Sequence, residues 1–229
     1  FLTRMTDLPV PEDTVFEAAQ SVFAGIEQVK QLLADPAVTS ARLVVNPEKM
    51  VIDEARRTYT YLGLFGYGVD GIVVNRVLPD AVSDPYFDKW RAIQAGHLET
   101  VDTAFSDVKR LRLRLFDDEM VGVDRLRQMA DELYGDVDPV ADFEAVSPFH
   151  LREDGDDVVV EMEVPFASRE ELDVMRRGTE LAITVGPYRR SLVLPDSLQR
   201  RPVTHAALAG GKLRIRFGQA PGKKTRRPA

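Results

Sequence analysis

Two short polar segments of this sequence follow apolar, strand-like runs, and their side chains could bind a small molecule. Residues 46–48 (NPE) follow the run 41–45, and Asn75 ends the run 71–75. An asparagine amide offers a hydrogen-bond donor and an acceptor together, which suits the edge of a purine base. Glu48 lies at a predicted helix start, where the helix dipole favours a carboxylate. An ordinary turn or cap residue is the alternative interpretation of Asn75, and helix electrostatics that of Glu48.

A third polar segment, residues 117–119 (DDE), follows another strand-like run. Three adjacent acidic side chains could hold a divalent cation through their oxygens. They also directly precede a helix predicted from about residue 122, so capping and compensation of the helix dipole are the simpler interpretation. On the preceding helix, we expect Trp90 to pack against a neighbouring element and His97 to be a surface or satisfied core residue.

The composition excludes several kinds of site. The 229-residue chain has no cysteine, so it offers no disulfide, thiolate metal site or cysteine nucleophile. Its net charge of −7 argues against a general nucleic-acid-binding protein. The sequence contains neither the GxxxxGK[ST] pattern of a phosphate-binding loop nor a GxGxxG that opens a helix. By itself the chain therefore has no evident means of gripping or cleaving a triphosphate.

Strand and helix signals alternate in the first part of the chain. In an open parallel sheet, ligands bind beyond the carboxyl ends of the strands, which is where the polar segments would stand. The alternation predicts right-handed crossovers and an α/β fold with a parallel sheet. The predicted helices cover residues 12–33, 47–65, 84–105 and 122–133, and the predicted strands cover residues 41–45, 71–75 and 108–113.

The pattern changes near residue 140, where short alternating runs begin. They predict an antiparallel, all-β sandwich of roughly 70 residues. Its expected strands cover residues 157–165, 181–185, 191–195 and 212–217. The basic segment 219–229 is expected to be a disordered tail, either solubilising or directed at an anionic partner or the acidic part of its own chain.

Residues from about 26 to 134 resemble the C-terminal half of the ATPase domain in the arsenical pump-driving ATPase family, which includes the ATPases that target tail-anchored membrane proteins. The spacing of Glu48 and Asn75 matches that family. The resemblance implies a partial P-loop-NTPase-like domain whose N-terminal half lies upstream of Phe1. The matching segments are 35–39 (DPAVT), 43–48 (LVVNPE), 72–75 (IVVN) and 115–123 (LFDDEMVGV).

The resemblance also implies roles for individual residues. Asn75 would contact the adenine edge of ATP, and Glu48 would lie at the nucleotide pocket near a dimer interface. The backbone around Arg114, Leu115 and Phe116 would line the base side. The ligands of Mg²⁺ and the phosphate-binding loop would lie in the upstream half, so this chain alone is expected to be inactive.

Two departures from the family pattern are visible. Arg114 stands where the family commonly has a proline, which changes the loop on the base side. The Cys-x-x-Cys pair that bridges a dimer through zinc in some members is absent, so a homodimer of this protein would need another interface.

Residues from about 146 to 217 resemble the α-crystallin domain of small heat-shock proteins, which some members of the ATPase family carry at this end. Lys212 replaces the valine that is usual before the leucine of the A-x-x-x-x-G-x-L turn, and the Ile-x-Ile tail used for higher assembly is absent. The matching segments are 158–165 (VVVEMEVP), 180–185 (ELAITV), 188–195 (YRRSLVLP) and 206–215 (AALAGGKLRI).

Together these patterns predict four segments: residues 1–138 form the C-terminal half of the ATPase domain, 139–146 a linker, 147–218 the β-sandwich and 219–229 the tail. The expected full protein is a cytoplasmic, dimeric ATP hydrolase that drives an anion pump or targets membrane proteins. Its expected partners are a hydrophobic membrane-protein client or a membrane partner, and no nucleic acid. The alternatives are a non-enzymatic, chaperone-like module that binds clients or partners, and a purely structural scaffold.

Overall fold

The computed structural model describes residues 13–141, 143–145 and 147–219. The first part alternates helices and strands, as predicted. Its elements are α1 (Asp13–Ala34), β1 (Ala41–Val45), α2 (Lys49–Phe65), β2 (Val69–Val77), a 3₁₀ turn (Pro85–Phe87), α3 (Asp88–Ala104), β3 (Lys109–Arg114) and α4 (Val123–Tyr134).

The three strands of this part form a parallel sheet with β2 in the centre, in the order β1-β2-β3. The helices α2 and α3 contribute to the same apolar core, because each is the crossover between two parallel strands. That core buries Val45, Ile52, Ile72, Val101 and Phe105. The predicted α/β class with a parallel sheet is therefore confirmed.

The helix α1 agrees with its predicted span within one residue at its C-terminus, and residue 12 lies outside the described part. Its apolar side chains recur at three- and four-residue intervals, as expected for an amphipathic helix. Phe23, Ile26 and Val29 of this stripe are nevertheless exposed to solvent, at 70%, 58% and 56%. Within the described residues, α1 therefore presents an uncovered apolar face.

The second part is the predicted antiparallel β-sandwich. A four-stranded sheet of order β4-β5-β10-β9 faces a three-stranded sheet of order β6-β7-β8. Met162, Ile183 and Ile215, which come from both sheets, are fully buried in one core. The elements are β4 (Phe149–Asp154), β5 (Asp157–Glu163), β6 (Leu172–Arg177), β7 (Glu180–Val185), β8 (Tyr188–Val193), the short α5 (Asp196–Gln199), β9 (Val203–Ala209) and β10 (Lys212–Phe217).

The two parts pack tightly where α2 ends. Leu64 of α2 is fully buried, and its neighbours are the core side chains of the sandwich. The α-carbon of Gly63 lies so close to the carbonyl oxygen of Glu163 in β5 that a side chain would not fit between them. The guanidinium of Arg190 in β8 donates to the carbonyl oxygen of Leu64 and stacks on the Phe149 ring at 4.4 Å. Because this contact buries the guanidinium, the pKa of Arg190 is lowered to about 10.

The sandwich in turn places an aromatic side chain, Phe166, against the core of the α/β part. The ring of Phe166 lies 6.0 Å from that of Tyr59 and 5.5 Å from that of Phe105, between ring centroids. Edge-to-face pairs at such distances contribute about 0.5–1.5 kcal/mol beyond their buried area. The two parts thus share side chains across one continuous interface.

The segment between the two parts is held by Arg42 of β1. Its guanidinium forms an ion pair with the buried carboxylate of Asp70 at 2.8 Å and donates to the carbonyl oxygen of Pro139 at 3.0 Å. It also lies over the ring of Phe143 at 3.7 Å. The side-chain hydrogen bond to Asp70 is the largest cause of the raised pKa of Arg42. This partly buried cation fixes the connecting segment against the amino-terminal end of the parallel sheet.

Substitution of Gly63 by alanine tests the packing of α2 against β5. The added methyl group would collide with the backbone of Glu163, which cannot yield as a flexible side chain can. We expect the free energy of unfolding to fall by about 1–3 kcal/mol, the usual cost of overpacking.

Gly96→Ala in α3 is the matched control, because nothing lies within 4 Å of the added methyl group. Alanine is the better helix former by about 0.8–1.0 kcal/mol, so this variant should be more stable than the parent. Urea denaturation of both variants gives the comparison. Equal stability of Gly63→Ala and the parent protein would contradict the close packing.

Tyr59 predicts a pH dependence of stability. Burial, aided by the carboxylates of Glu163 and Asp107, raises the pKa of Tyr59 to about 12 from the ordinary value of 10.0. Between pH 10 and about 12 the native state keeps a proton that the unfolded chain has released, so this group lowers the free energy of unfolding as the pH rises. Arg190 acts in the opposite sense, because its pKa is lowered.

Tyr59→Phe removes the tyrosine contribution, so its free energy of unfolding should fall less steeply than that of the parent between pH 10 and 12. Denaturation midpoints across this range measure the slope. Tyr86→Phe is the control, because Tyr86 is 73% exposed, and it should retain the slope of the parent. Identical slopes for all three proteins would show that the Tyr59 hydroxyl is not shielded from water.

Candidate functional site

The candidate site begins at an irregularity in the central strand β2. The register between β2 and β3 shifts between Val74 and Val77, so two residues of β2 lack a regular partner. Arg76 has a φ of 56°, and it is the only non-glycine residue with a positive φ in the described part of the chain. The sequence analysis placed Asn75 at the end of this strand, and that expectation is wrong: β2 continues to Val77 through a bulge.

A glutamine of α3 holds this bulge. The Leu78 N–H donates to Oε1 of Gln94 at 2.8 Å, and Nε2 of Gln94 donates to the carbonyl oxygen of Arg76 at 3.5 Å. The Arg76 N–H donates to Oδ1 of Asn75 at 2.9 Å. The Asn75 amide is therefore oriented, and its Nδ2 has no protein acceptor among the described residues. The sequence analysis did not identify Gln94, whose role arises only once α3 packs beside β2.

Four of the five predicted site residues line one cleft beyond the carboxyl ends of β2 and β3. We call it the Asn75 cleft, and its volume is about 630 Å³. The guanidinium of Arg114 lies 4.5 Å from the Phe116 ring centroid and pairs with the Glu132 carboxylate of α4 at 2.9 Å. Leu115 completes this wall. The volume lies within the range of small-molecule sites.

The fifth predicted residue, Glu48, lines a neighbouring cleft of about 540 Å³, here called the Glu48 cleft. Glu48 is the N-cap residue of α2, and its side chain makes no capping hydrogen bond. Arg76 lines both clefts and stands between them. The structure therefore places Glu48 beside the other four residues rather than among them.

Aromatic and apolar side chains of α3 and the preceding turn form the rest of the Glu48 cleft. They include Phe87, Trp90 and Ile93, with His97 one turn further along. Trp90 was expected to pack against a neighbouring element, and this is wrong, because it is 55% exposed. The three- and four-residue spacing of these side chains was the signal that could have identified them as one helix face.

The acidic segment 117–119 lines the Asn75 cleft and does not cap α4. The N-cap residue of α4 is Gly122, without a side-chain capping bond, so the capping interpretation is wrong. Asp118 instead accepts the Glu119 N–H at 2.7 Å and pairs with Arg125 of α4 at 3.4 Å. No group of three or more histidine, cysteine, aspartate or glutamate side chains is arranged to hold a metal ion within the described residues.

Comparison with known proteins gives the family. A family model described as "Anion-transporting ATPase" matches residues 2–135, which is more than half of the chain. The chain belongs to the anion-transporting ATPase family. A second model, "HSP20-like domain found in ArsA", matches residues 149–217. The resemblances drawn from the sequence, to the arsenical pump-driving ATPases and to the α-crystallin domain, are both confirmed.

Individual relatives agree with this membership of the anion-transporting ATPase family. The chain is 32% identical over 200 residues to a protein of Aquifex aeolicus named "Putative arsenical pump-driving ATPase 1", covering 86% of this chain and 50% of the relative. It is 34% identical over 200 residues to "Putative arsenical pump-driving ATPase" of Chlorobaculum tepidum, covering 86% of this chain and 49% of the relative. The chain thus spans about half the length of these relatives. None of the helices in the described part combines the length and the apolar character that crossing a membrane requires.

Substitution of Gln94 tests whether this residue holds the bulge. Gln94→Leu leaves the partly buried Leu78 N–H without an acceptor, so we expect a loss of about 1–3 kcal/mol in the free energy of unfolding. Gln94→Glu is the matched control, because it keeps the accepting oxygen and should lose less. Denaturation and hydrogen exchange of the Leu78 amide report the result. If leucine and glutamate at position 94 were equivalent in both measurements, the bulge would not depend on this bond.

Proposed function

We propose that the protein binds ATP with the adenine in the Asn75 cleft. The observation that carries the proposal is the oriented Asn75 amide, whose Oδ1 accepts the Arg76 N–H and whose Nδ2 stays available to a ligand. An amide held in this way can donate through Nδ2 and still accept through the second lone pair of Oδ1. Leu115 and Phe116 add an apolar surface to the same cleft, which suits the faces of a base.

The second part of the proposal concerns the whole protein. It hydrolyses ATP, with Mg²⁺ as cofactor, and couples hydrolysis to driving an anion pump or to targeting membrane proteins in the cytoplasm. Family membership supports this activity. In this proposal the phosphate-binding loop and the Mg²⁺ ligands belong to the N-terminal half of the ATPase domain, and Glu48 lies near the interface of a homodimer. The four-segment division of the chain, with its linker at 139–146, is part of the same proposal.

A second candidate function is a chaperone-like module that binds hydrophobic clients or partners without hydrolysis. Two observations favour it: the sandwich matches an HSP20-like model, and the apolar stripe of α1 is exposed. An uncovered stripe of this kind is typical of surfaces that bind another protein. ATP turnover by the full-length protein, absent under the second function, separates the two candidates.

Asn75→Ala in the full-length protein tests the base contact. Removing the amide leaves the polar edge of the base without its partner, so the binding free energy of ATP should weaken by about 1–3 kcal/mol. The loss should be smaller for GTP, because a guanine edge does not present the same donor and acceptor pattern. Isothermal titration calorimetry measures both affinities.

Asn46→Ala is the matched control for Asn75→Ala. Asn46 carries the same amide but lines the Glu48 cleft, so its loss should leave the affinity for adenosine, which has the base without the phosphates, within about twofold of the parent value. An unchanged ATP affinity in Asn75→Ala would refute the adenine contact. Equal losses of adenosine affinity in the two asparagine variants would place the base between the clefts instead.

A further inference from the structure

Arg76 adopts a backbone conformation that its residue type disfavours. The left-handed region costs a non-glycine residue of order 1–2 kcal/mol, and residues held there cluster at functional sites. No other non-glycine residue in the described ranges has a positive φ. The side chain of Arg76 is exposed, so burial of apolar atoms does not account for the presence of arginine here.

The bulge has a geometric consequence for Arg76. In a regular strand, adjacent side chains point to opposite faces of the sheet, so Asn75 and Arg76 could not serve one ligand. The bulge and the left-handed backbone bring both residues to the walls of the Asn75 cleft. Arg76 also lines the Glu48 cleft, so this residue stands between the two cavities.

The charges around the two clefts are unequal. Asp117, Asp118 and Glu119 line the Asn75 cleft, and the other arginine there, Arg114, is paired with Glu132. Arg76 forms no ion pair with any residue that the structure describes. A polyanion attached to a base in this cleft is repelled by the acidic wall and attracted towards Arg76.

The Glu48 cleft continues this path. Lys49 lines it beside Arg76, and Lys49 likewise has no ion-pair partner within the described part of the chain. Glu48 is the acidic residue of that wall, so Lys49 and Arg76 leave an excess of positive charge in the Glu48 cleft.

We propose that the Arg76 guanidinium binds the phosphate chain of a nucleoside polyphosphate whose base occupies the Asn75 cleft. The inference rests on the proposed function and deepens it, because it gives the nucleotide a direction across the two clefts. Arg76 is then a binding residue with two contributions: its N–H orients Asn75, and its side chain receives the anion.

The test compares ATP with adenosine, which has the base but no phosphate. It uses the full-length protein with Arg76→Gly, which retains the N–H and tolerates the left-handed backbone, and Arg76→Lys, which retains a charge. We expect Arg76→Gly to weaken ATP binding by about 10- to 100-fold, the usual effect of losing a charge-assisted hydrogen bond, with adenosine affinity within about twofold. Arg76→Lys should recover part of the loss.

Two further readouts exclude a merely structural role. The ATP affinity of the parent should fall more steeply with added salt than that of Arg76→Gly, because the variant has lost an ionic contact. The melting temperature of Arg76→Gly should equal or exceed that of the parent, since glycine relieves the backbone. Arg57→Ala, which removes an exposed arginine of α2 outside both clefts, should change neither affinity.

The outcomes separate the two proposals. If the parent protein binds neither ATP nor adenosine, the proposed function fails, and this inference fails with it. If the parent binds ATP and Arg76→Gly binds it equally well, only the role of Arg76 is overturned. Equal losses of ATP and adenosine in Arg76→Gly would also overturn it, because the guanidinium would then serve the fold of the cleft and not the phosphates.

Discussion

The structure depends on β2, which must pair regularly within the sheet and also place two polar residues in the Asn75 cleft. This strand pairs with β1 on one side and β3 on the other, and Ile72 and Val74 anchor the apolar core, so regular pairing is needed along most of its length. Beyond Val74 the ladder breaks, and the backbone of Arg76 turns into the left-handed region. If β2 continued as a regular strand, Asn75 and Arg76 would point to opposite faces of the sheet, and only one of them could face the Asn75 cleft. The bulge meets both demands, because Val74 before it belongs to the apolar core and Asn75 and Arg76 line the Asn75 cleft.

Gln94 and Leu115 show how the surrounding elements stabilise this break. The bulge leaves backbone groups without ladder partners, and such groups are costly when removed from water. Gln94 of α3 satisfies the Leu78 N–H, and the Leu115 N–H donates to the Val77 carbonyl oxygen at 2.7 Å. Leu115, the first residue after β3, is thereby bonded to the last residue of β2, directly beyond the bulge. This explains why Asn75 shares a cleft with the residues 114–116.

Sequence patterns predicted the elements far better than the contacts between them. The apolar run of β1 and the helical spacing of α1 gave their spans nearly to the residue, since burial imposes those periods. The strands β4, β6 and β9, all at sheet edges, were not predicted from periodicity. Charged residues mask the apolar alternation of β4 and β6, and β9 consists mostly of small and polar residues. The bulge at Arg76 has no sequence signature, because arginine is not a residue type that predicts a left-handed backbone.

In the candidate site, too, the sequence identified individual residues better than the contacts between them. The family resemblance selected Asn75 and the residues 114–116, and the fold brings them into one cleft. Sequence spacing alone could not show that Glu48 belongs to a second cleft, because that depends on where the bulge directs Arg76. It also could not show that the acidic residues 117–119 stand apart from the start of α4, where Gly122 is the N-cap residue. The loop that separates them is set by tertiary packing.

The helix α2 connects the site to the sandwich. It is 17 residues long, or about 25 Å at 1.5 Å per residue, with Glu48 at its N-terminus and Leu64 near its C-terminus. The sandwich therefore lies too far from the clefts to shape them directly. The sandwich is nevertheless fixed to the last turns of α2 by three contacts. They are the buried side chain of Leu64, the close approach of Gly63 to β5 and the hydrogen bond from Arg190 to the Leu64 carbonyl oxygen. A rotation of α2 would therefore disturb this interface, because close-packed side chains have no free volume into which to move.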